Sequence, residues 1–227
     1  MDESSTPSIL YKITLLRHGE SEGNAFGYYQ GQNESPLTPV GEAQSAALAR
    51  RWHAEGVCFD RIIASPQARA RRTAEIIAEH LNAPLEFDAL WMERDCGLLT
   101  GLSHEQAEAS YPRPAFIHPY LHIGQTGESV WESYLRAGRG VQSLLDRTPG
   151  RYLVVAHGAI LNMAMYAILG IAPQANFNGP RFRFRNTAFA NLLYNPAGHE
   201  WTLESINDRA HWPDENDDYP RTEYHKE

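Results

Sequence analysis

Apolar residues are arranged along the chain in some stretches as in strands and in others as in helices. The clearest stretches are two short runs that are mostly apolar. Residues 9–16 read ILYKITLL and stop abruptly before Arg17. Residues 151–156 read RYLVVA and stop in the same way before His157. Continuous apolar runs of this length are typical of buried strands. Each run therefore predicts a strand that enters a loop, and each loop carries a histidine followed by a glycine.

Helical periodicity follows the predicted strands. Thr38 and Pro39 come directly before apolar residues that recur to Trp52, which predicts a helix with Thr38 as its N-cap. Ser65 and Pro66 repeat this signal and predict a second helix that runs to about residue 80. Further helices are predicted over 127–146 and 158–169, and further strands over 61–64, 85–90, 181–184, 188–194 and 201–206.

Strands and helices alternate along most of the chain. This order predicts an α/β fold with a mostly parallel central sheet and helices on both faces. We expect a single domain over residues 1–227, because this length is sufficient for a sizeable core. Residues 103–127 have weak periodicity and predict an irregular, lid-like excursion with one short helix. Residues from about 213 onward are polar and acidic and predict a tail with little core.

Composition narrows the classes of function. The chain has 20 basic and 28 acidic residues, a formal net charge of −8, so its surface as a whole repels nucleic acid and anionic membranes. An anionic ligand therefore requires a local cluster of basic residues. Neither a signal peptide nor a membrane-spanning stretch is visible. The two cysteines, Cys58 and Cys96, form no close pair, so we expect reduced thiols in a cytoplasmic protein, with a homodimer left open.

The end of the first predicted strand carries the first candidate chemistry. The motif there reads LLRHGESEGN over residues 15–24. Arg17 and Asn24 can both donate hydrogen bonds to a phosphate, and the glycines at 19 and 23 would let the backbone approach a ligand. His18 alone would more often be a structural residue, so further features must support a catalytic role.

Three later positions provide that support. Arg69 falls in the first turn of the helix predicted after residue 65, where the helix N-terminus and the guanidinium group both favour an anion. Its neighbours Arg71 and Arg72 are interpreted as a solvated helix face. Glu93 lies near the end of a predicted strand, and His157-Gly158 repeats the arrangement at residue 18.

Taken in order, these motifs resemble the histidine phosphatase superfamily, which contains phosphoglycerate mutases and many small phosphatases. The resemblance runs from about Lys12 to His211. It includes Gln30-Gly31, PLTPVG at 36–41, GES at 127–129 and NDRAH at 207–211. It implies a three-layer, phosphoglycerate mutase-like fold, and a reaction that uses neither a metal ion nor another cofactor.

The resemblance also implies a role for each position. His18 attacks phosphorus and holds it as phosphohistidine, which divides one displacement into two. Glu93 protonates the leaving alkoxide and then accepts a proton from the attacking water, although Asp95 and Glu128 are rival carboxylates. The implied phosphate-binding residues are Arg17, Asn24, Arg69 and His157. Gln30, Gly31 and Tyr28 are weaker candidates for substrate contacts.

Residues that flank the motif favour hydrolysis of a small phosphomonoester over mutase activity. Glu93-Arg94 resembles the mutase sequence. However, Cys96 and His104 stand where mutases usually have tyrosine and lysine, and residues 103–127 offer only Arg113 in place of an arginine pair. A non-catalytic phospho-ligand-binding protein is a third reading, disfavoured because the pocket residues are all present.

Two weaker patterns concern the surroundings of the site. Tyr111, Phe116 and Tyr120 predict that the excursion forms an aromatic entrance poor in positive charge, which would favour neutral, apolar alcohols; simple packing of these rings is the alternative. Residues 181–185 read RFRFR, which predicts an edge strand with a solvated basic face. A role of these residues in an interface or in substrate contact is the less favoured alternative. His118 and His122 have the spacing of a helical metal pair, but a proline separates them and no third ligand is evident.

Overall fold

The computed structural model describes residues 10–212, and its centre is a six-stranded sheet. The strand order is β3-β2-β4-β1-β5-β6. The four strands from β3 to β1 are parallel, whereas β5 is antiparallel to β1 and β6 to β5. The predicted mostly parallel sheet is therefore confirmed. The strands are β1 (Tyr11–Arg17), β2 (Arg61–Ala64), β3 (Leu85–Phe87), β4 (Arg151–Ala156), β5 (Phe189–Asn195) and β6 (Glu200–Asp208).

Six α-helices accompany the sheet in the described part of the chain. They are α1 (Glu22–Phe26), α2 (Pro39–Ala54), α3 (Ala68–Leu81), α4 (His104–Ser110), α5 (Val130–Leu145) and α6 (Gly158–Leu169). Among residues 10–212, none of these helices is long and apolar enough to cross a bilayer. The predicted tail from residue 213 lies outside the described residues.

Alternate residues of the central strands separate into two cores. Leu15 and Val154 belong to a cluster that includes side chains of α5 and α6. Leu16 and Val155, one position further along, belong to a second cluster with α2 and α3. Because successive side chains of a strand point to opposite faces, the sheet is covered by helices on both sides. The three-layer arrangement is confirmed.

The helix starts test the capping predictions. The Thr38 hydroxyl accepts a hydrogen bond from the Gly41 amide at 3.1 Å, with Pro39 in the first turn, so this prediction is confirmed. The start predicted at Ser65 is wrong, because α3 begins at Ala68. The Ser65 hydroxyl is instead 2.8 Å from a ring nitrogen of a buried histidine in the candidate site. Arg69 still falls in the first turn of α3.

Three predicted elements differ from the structure. The strand over 85–90 ends at Phe87, and the Asp88 side chain then caps a 3-10 turn. The helix over 127–146 begins only at Val130. The strand over 181–184 is absent: the backbone of Phe182 pairs with the side chain of Asn162 instead of a strand neighbour. The excursion at 103–127 contains α4 and then irregular backbone.

Candidate active site

The sheet brings the two His-Gly pairs together. β1 and β4 are adjacent parallel strands, and Arg17 is in register with Ala156. The next residues, His18 and His157, therefore leave the sheet at the same edge, and their ring centroids are 5.1 Å apart. Both imidazoles are buried. This edge is where ligands bind in open α/β sheets.

The hydrogen bonds of His18 fix its tautomer. Its Nδ1 lies 2.6 Å from the carbonyl oxygen of Gly19, which can only accept, so Nδ1 carries the proton. Nε2 of the neutral ring then has a free lone pair. Burial, Arg69 and Arg17, in that order, hold the pKa of His18 well below its usual value, against the opposing effect of the Gly19 carbonyl. The ring is thus a neutral nucleophile whose orientation is fixed by a backbone carbonyl.

Gly19 is required by the packing of its loop. A Cβ atom at this position would lie 2.5 Å from the carbonyl oxygen of Gly41 at the start of α2. The Gly19 amide also donates to Thr73 Oγ1 at 3.0 Å, which ties the loop to α3. Close approach of this backbone to a ligand stays a prediction. The absence of a side chain at Gly19 lets the nucleophile loop pack against two helices.

Two arginines surround the nucleophile without a carboxylate partner. Arg69 is 1% exposed and donates to the carbonyl oxygens of Asn33 and Gly31, each at 2.9 Å. Arg17 donates from Nη1 to the Phe184 carbonyl at 2.8 Å, but its buried Nε has no partner among the described residues. None of the ion pairs found in residues 10–212 includes either arginine. Buried positive charge without a partner is unfavourable, so the arrangement suits an anion.

Burial also affects the arginine charge itself. It lowers the pKa of Arg69 to about 10, the nearby charge of Glu93 opposing the shift, so the guanidinium stays protonated at neutral pH. The pocket thus contains a positive charge that is already oriented by two backbone carbonyls. No reorganisation of Arg69 is needed when an anion arrives.

His157 is neutral, and both of its ring nitrogens have hydrogen-bond partners. Its Nδ1 accepts from Arg69 Nε at 3.1 Å, so the proton is on Nε2, which donates to Ser65 Oγ at 2.8 Å. Burial first, then Arg69 and His18, hold its pKa well below the usual value. A direct role in neutralising phosphate charge stays a prediction. The hydrogen bond to Arg69 Nε shows that His157 orients this guanidinium.

Glu93 is the only one of the three rival carboxylates that lines the small cavity beside the nucleophile. Its side chain accepts from the amides of Ala159 and Ile160, at 3.2 and 3.1 Å, at the N-terminus of α6. Asp95 instead accepts from the Gly97 amide, and Glu128 is paired with Arg136 at 2.6 Å. The geometry therefore favours Glu93 as the acid–base group.

The remaining predicted contacts divide into two groups. Tyr28, Gln30 and Gly31 line the small cavity, which has a volume of about 200 Å³ and also contains Arg17, His18 and Arg69. Asn24 does not line it. The Asn24 Oδ1 accepts from Ser21 Oγ at 2.9 Å and from Asn186 Nδ2 at 3.0 Å, which leaves its amide nitrogen as the end able to donate.

A much larger groove of about 1740 Å³ adjoins this cavity and corrects a further expectation. One wall is the excursion, with Tyr111 and Tyr120, as expected. Another wall of the groove contains Arg181, Arg183 and Arg185, which were expected on a solvated edge strand. The entrance is therefore not poor in positive charge. The prediction failed because residues distant in sequence from the excursion form the other wall.

Several residues that support the site were missed from the sequence. Gln67 Oε1 accepts from the Glu93 amide at 2.7 Å, and Asn186 Nδ2 donates to the His18 carbonyl at 3.1 Å. Thr187, with φ of 55°, donates its amide to the Arg17 carbonyl at 3.1 Å. No motif marked these positions. Only the proximity of Gln67 to Arg69 in the sequence offered a signal.

The fold and the site together define the family of this protein. The chain matches the histidine phosphatase superfamily (branch 1) over residues 13–209, and it belongs to this superfamily. The relatives include a protein from Cronobacter sakazakii named probable phosphoglycerate mutase GpmB, which is 34% identical over 89% of this chain and 95% of the relative. The predicted family is confirmed.

Solved structures give the same fold. Bacillus stearothermophilus YhfR superposes with a TM-score of 0.76 and 27% identity, covering 88% of this chain and 98% of that protein. A mycobacterial glucosyl-3-phosphoglycerate phosphatase, solved with VO3, gives a TM-score of 0.73 at 25% identity, covering 87% and 99%. The similar proteins thus have both phosphatase and mutase names, and the family alone does not choose between the two reactions.

Proposed function

We propose that this protein hydrolyses a small-molecule phosphomonoester through a phosphohistidine formed at His18. The observation that carries the proposal is a buried, neutral imidazole with a free Nε2 beside two arginines that have no carboxylate partner. Phosphoryl transfer requires an in-line nucleophile and compensation of charge on the equatorial oxygens. Arg17 and Arg69 supply that compensation.

The reaction proceeds in two steps. In the first, His18 Nε2 forms a bond to phosphorus while the bond to the alcohol oxygen breaks, and protonated Glu93 donates its proton to the leaving oxygen. In the second, a water oxygen bonds to phosphorus, Glu93 takes the water proton, and the bond to His18 breaks.

A phosphoglycerate mutase-type transfer is the alternative, and the name of the Cronobacter relative favours it. A mutase must keep its phosphohistidine from water during the exchange of substrates. The groove of about 1740 Å³ that adjoins the site gives water a broad path to the phosphoenzyme. Hydrolysis is therefore the preferred reaction.

The test is rapid quench with labelled substrate, combined with measurement of inorganic phosphate. We expect an acid-labile, base-stable phosphoenzyme in the parent protein and at least 10⁴-fold slower turnover in His18→Ala. Normal turnover by His18→Ala would contradict the proposal, and interconversion of phosphoglycerates without phosphate release would establish the mutase.

A second measurement tests the source of positive charge. Because arginines occupy the place where other phosphatases use a cation, we expect activity to survive exhaustive chelation with EDTA. Vanadate, which mimics the transferring phosphoryl group, should inhibit. Loss of activity in EDTA and recovery with zinc or magnesium would show that the site has been misinterpreted.

A further inference from the structure

The large groove contains more positive charge than a phosphoryl group requires. Its lining includes six arginines and a single carboxylate, Glu93, although the chain as a whole has a net charge of −8. Arg17 is committed to the phosphoryl pocket. The five other arginines of the groove are Arg94, Arg113, Arg181, Arg183 and Arg185.

Three of them belong to one short segment, residues 181–185, here called the arginine segment. Its phenylalanines hold it in place: Phe184 is 4% exposed, and Phe182 packs against the core formed with α6. The Phe182 backbone is also fixed by Asn162, which donates to its carbonyl at 2.7 Å and accepts from its amide at 2.9 Å. Phe184 is thus buried and Phe182 half-buried, and these contacts fix the backbone from which the three arginines line the groove.

The arginine segment is also connected directly to the phosphoryl pocket. The carbonyl of Phe184 accepts from Arg17 Nη1 at 2.8 Å, so Arg183 is one residue from a contact with a phosphate-binding arginine. Arg181 and Arg185 have interactions of their own. Arg183 is exposed, and within residues 10–212 it has no ion pair. It is the member of the segment best placed to meet a ligand.

The part of the lining formed by the excursion has a different character. Tyr111, Ile117 and Tyr120 belong to it, and Met163 and Phe177 add further apolar surface to the groove. The volume of about 1740 Å³ exceeds the roughly 300–1,000 Å³ of ordinary ligand pockets. One wall therefore suits an apolar or ring-bearing body, and the other suits an anion.

We propose that Arg183 binds a second anionic group, a carboxylate or a phosphate, on the alcohol part of the substrate, whose apolar or ring-bearing body lies against Tyr111 and Tyr120. Guanidinium groups bind either anion through paired hydrogen bonds. The inference rests on the proposed function, because the groove holds the alcohol part only when the phosphoryl group is at His18. This proposal replaces the earlier expectation that the substrate alcohol is neutral. That expectation assumed an entrance poor in positive charge, and the groove arginines show that the assumption was wrong.

The test uses aryl phosphomonoesters that carry a carboxylate, a phosphate or a carboxamide at one position, with spacers of several lengths. The carboxamide matches the carboxylate in size but has no charge. At the best spacer we expect kcat/KM for a charged ester to be about 5-fold higher than for the carboxamide ester. This is the size of effect that an exposed ion pair produces. Comparison of the carboxylate with the phosphate identifies which anion the site prefers.

Variants then assign the preference to Arg183. In Arg183→Gln the ratio of kcat/KM for the charged ester to kcat/KM for the carboxamide ester should fall toward one. Arg183→Lys should retain part of the preference for the charged ester. Arg139→Gln, which removes an exposed arginine of α5 outside the groove, should keep the parent ratio. The preference should also decrease with added salt.

Two outcomes separate the subsite from the reaction. If the esters are hydrolysed but no charged member is preferred at any spacer, or if Arg183→Gln keeps the parent ratio, the subsite is wrong and the proposed function stands. If no ester yields phosphate or phosphoenzyme, the proposed function fails. Binding of the matching non-hydrolysable phosphonates, measured by calorimetry, then gives the same charged-to-neutral ratio without any turnover.

Discussion

In the phosphoryl pocket His18 and His157 directly follow adjacent strands, whereas in the groove Arg183 and Tyr120 stand on irregular segments. The strand register alone places the two histidines side by side. In the groove, side-chain contacts such as that of Asn162 with Phe182 hold the wall in place. The pocket is thus determined by the sheet, and the groove by local contacts.

The pocket and the groove also differ in how deeply their arginines are buried. Arg69 is 1% exposed and oriented by two carbonyls, while Arg183 is exposed. A buried, oriented charge acts on a transition state at full strength, whereas an exposed charge is screened by water and salt. The comparison therefore predicts large effects on every substrate for changes in the pocket, and small, substrate-dependent effects for changes in the groove.

The largest effect is expected for Arg69→Gln. Loss of an oriented cation from a buried site should lower kcat/KM about 10³-fold for every phosphomonoester, whatever its alcohol. Steady-state kinetics on p-nitrophenyl phosphate and on an alkyl phosphate measure it. Arg71→Gln, an exposed position on the same helix, is the matched control and should retain activity. A loss confined to one class of alcohol would contradict the comparison.

Glu93→Gln should have the next largest effect and should depend on the leaving group. An alkoxide needs a proton from the enzyme, whereas p-nitrophenolate does not, so we expect about 10²-fold slower hydrolysis of alkyl phosphates and only a few-fold change for p-nitrophenyl phosphate. Asp95→Asn is the control, because this rival caps a turn away from the cavity. Equal losses on both substrates would remove Glu93 from the acid–base role.

The pocket imidazoles should also make folding sensitive to pH. His18 and His157 have pKa values held well below the ordinary 6.5 by burial and by Arg69. Below about pH 6.5 the unfolded chain binds protons that the folded chain does not, so stability is present above this pH and lost as the pH falls. The loss is up to about 1.4 kcal/mol per pH unit for each buried ring.

Urea unfolding at pH 7.5 and 5.5 measures this dependence. In His18→Asn the change in unfolding free energy between the two pH values should be smaller than in the parent. In His53→Asn, an exposed position on α2, it should match the parent. An identical pH dependence in all three proteins would show that the pocket rings titrate normally.

The smallest effect is expected in the groove. Tyr120 lines it and is 59% exposed, so Tyr120→Ala should raise KM about 3- to 10-fold for ring-bearing alcohols and leave small alkyl phosphates unaffected. Phe26→Ala removes a ring that is 74% exposed and lies outside the groove, and it serves as the control. An equal change for both kinds of alcohol would mean that the ring only packs the excursion onto the protein.

Elements with strong local signals were predictable from the amino-acid sequence. Buried strands have continuous apolar runs, and Thr38-Pro39 starts a helix by capping alone, so β1, β4 and α2 were predictable. The motif residues were predictable as well, because phosphoryl transfer demands particular functional groups at strand ends. The order of these motifs along the chain was then sufficient to identify the family.

Long-range contacts that compete with local signals were not predictable from the sequence and became visible in the folded chain. Ser65 would cap a helix by its sequence, but a buried imidazole takes its hydroxyl. Residues 181–185 alternate as a strand does, yet Asn162 pairs with the backbone in place of a neighbouring strand, and the arginines become a groove wall. Such contacts join residues far apart in sequence, and their free energy outweighs local propensity. For the same reason the charge of the entrance could not be deduced from one segment.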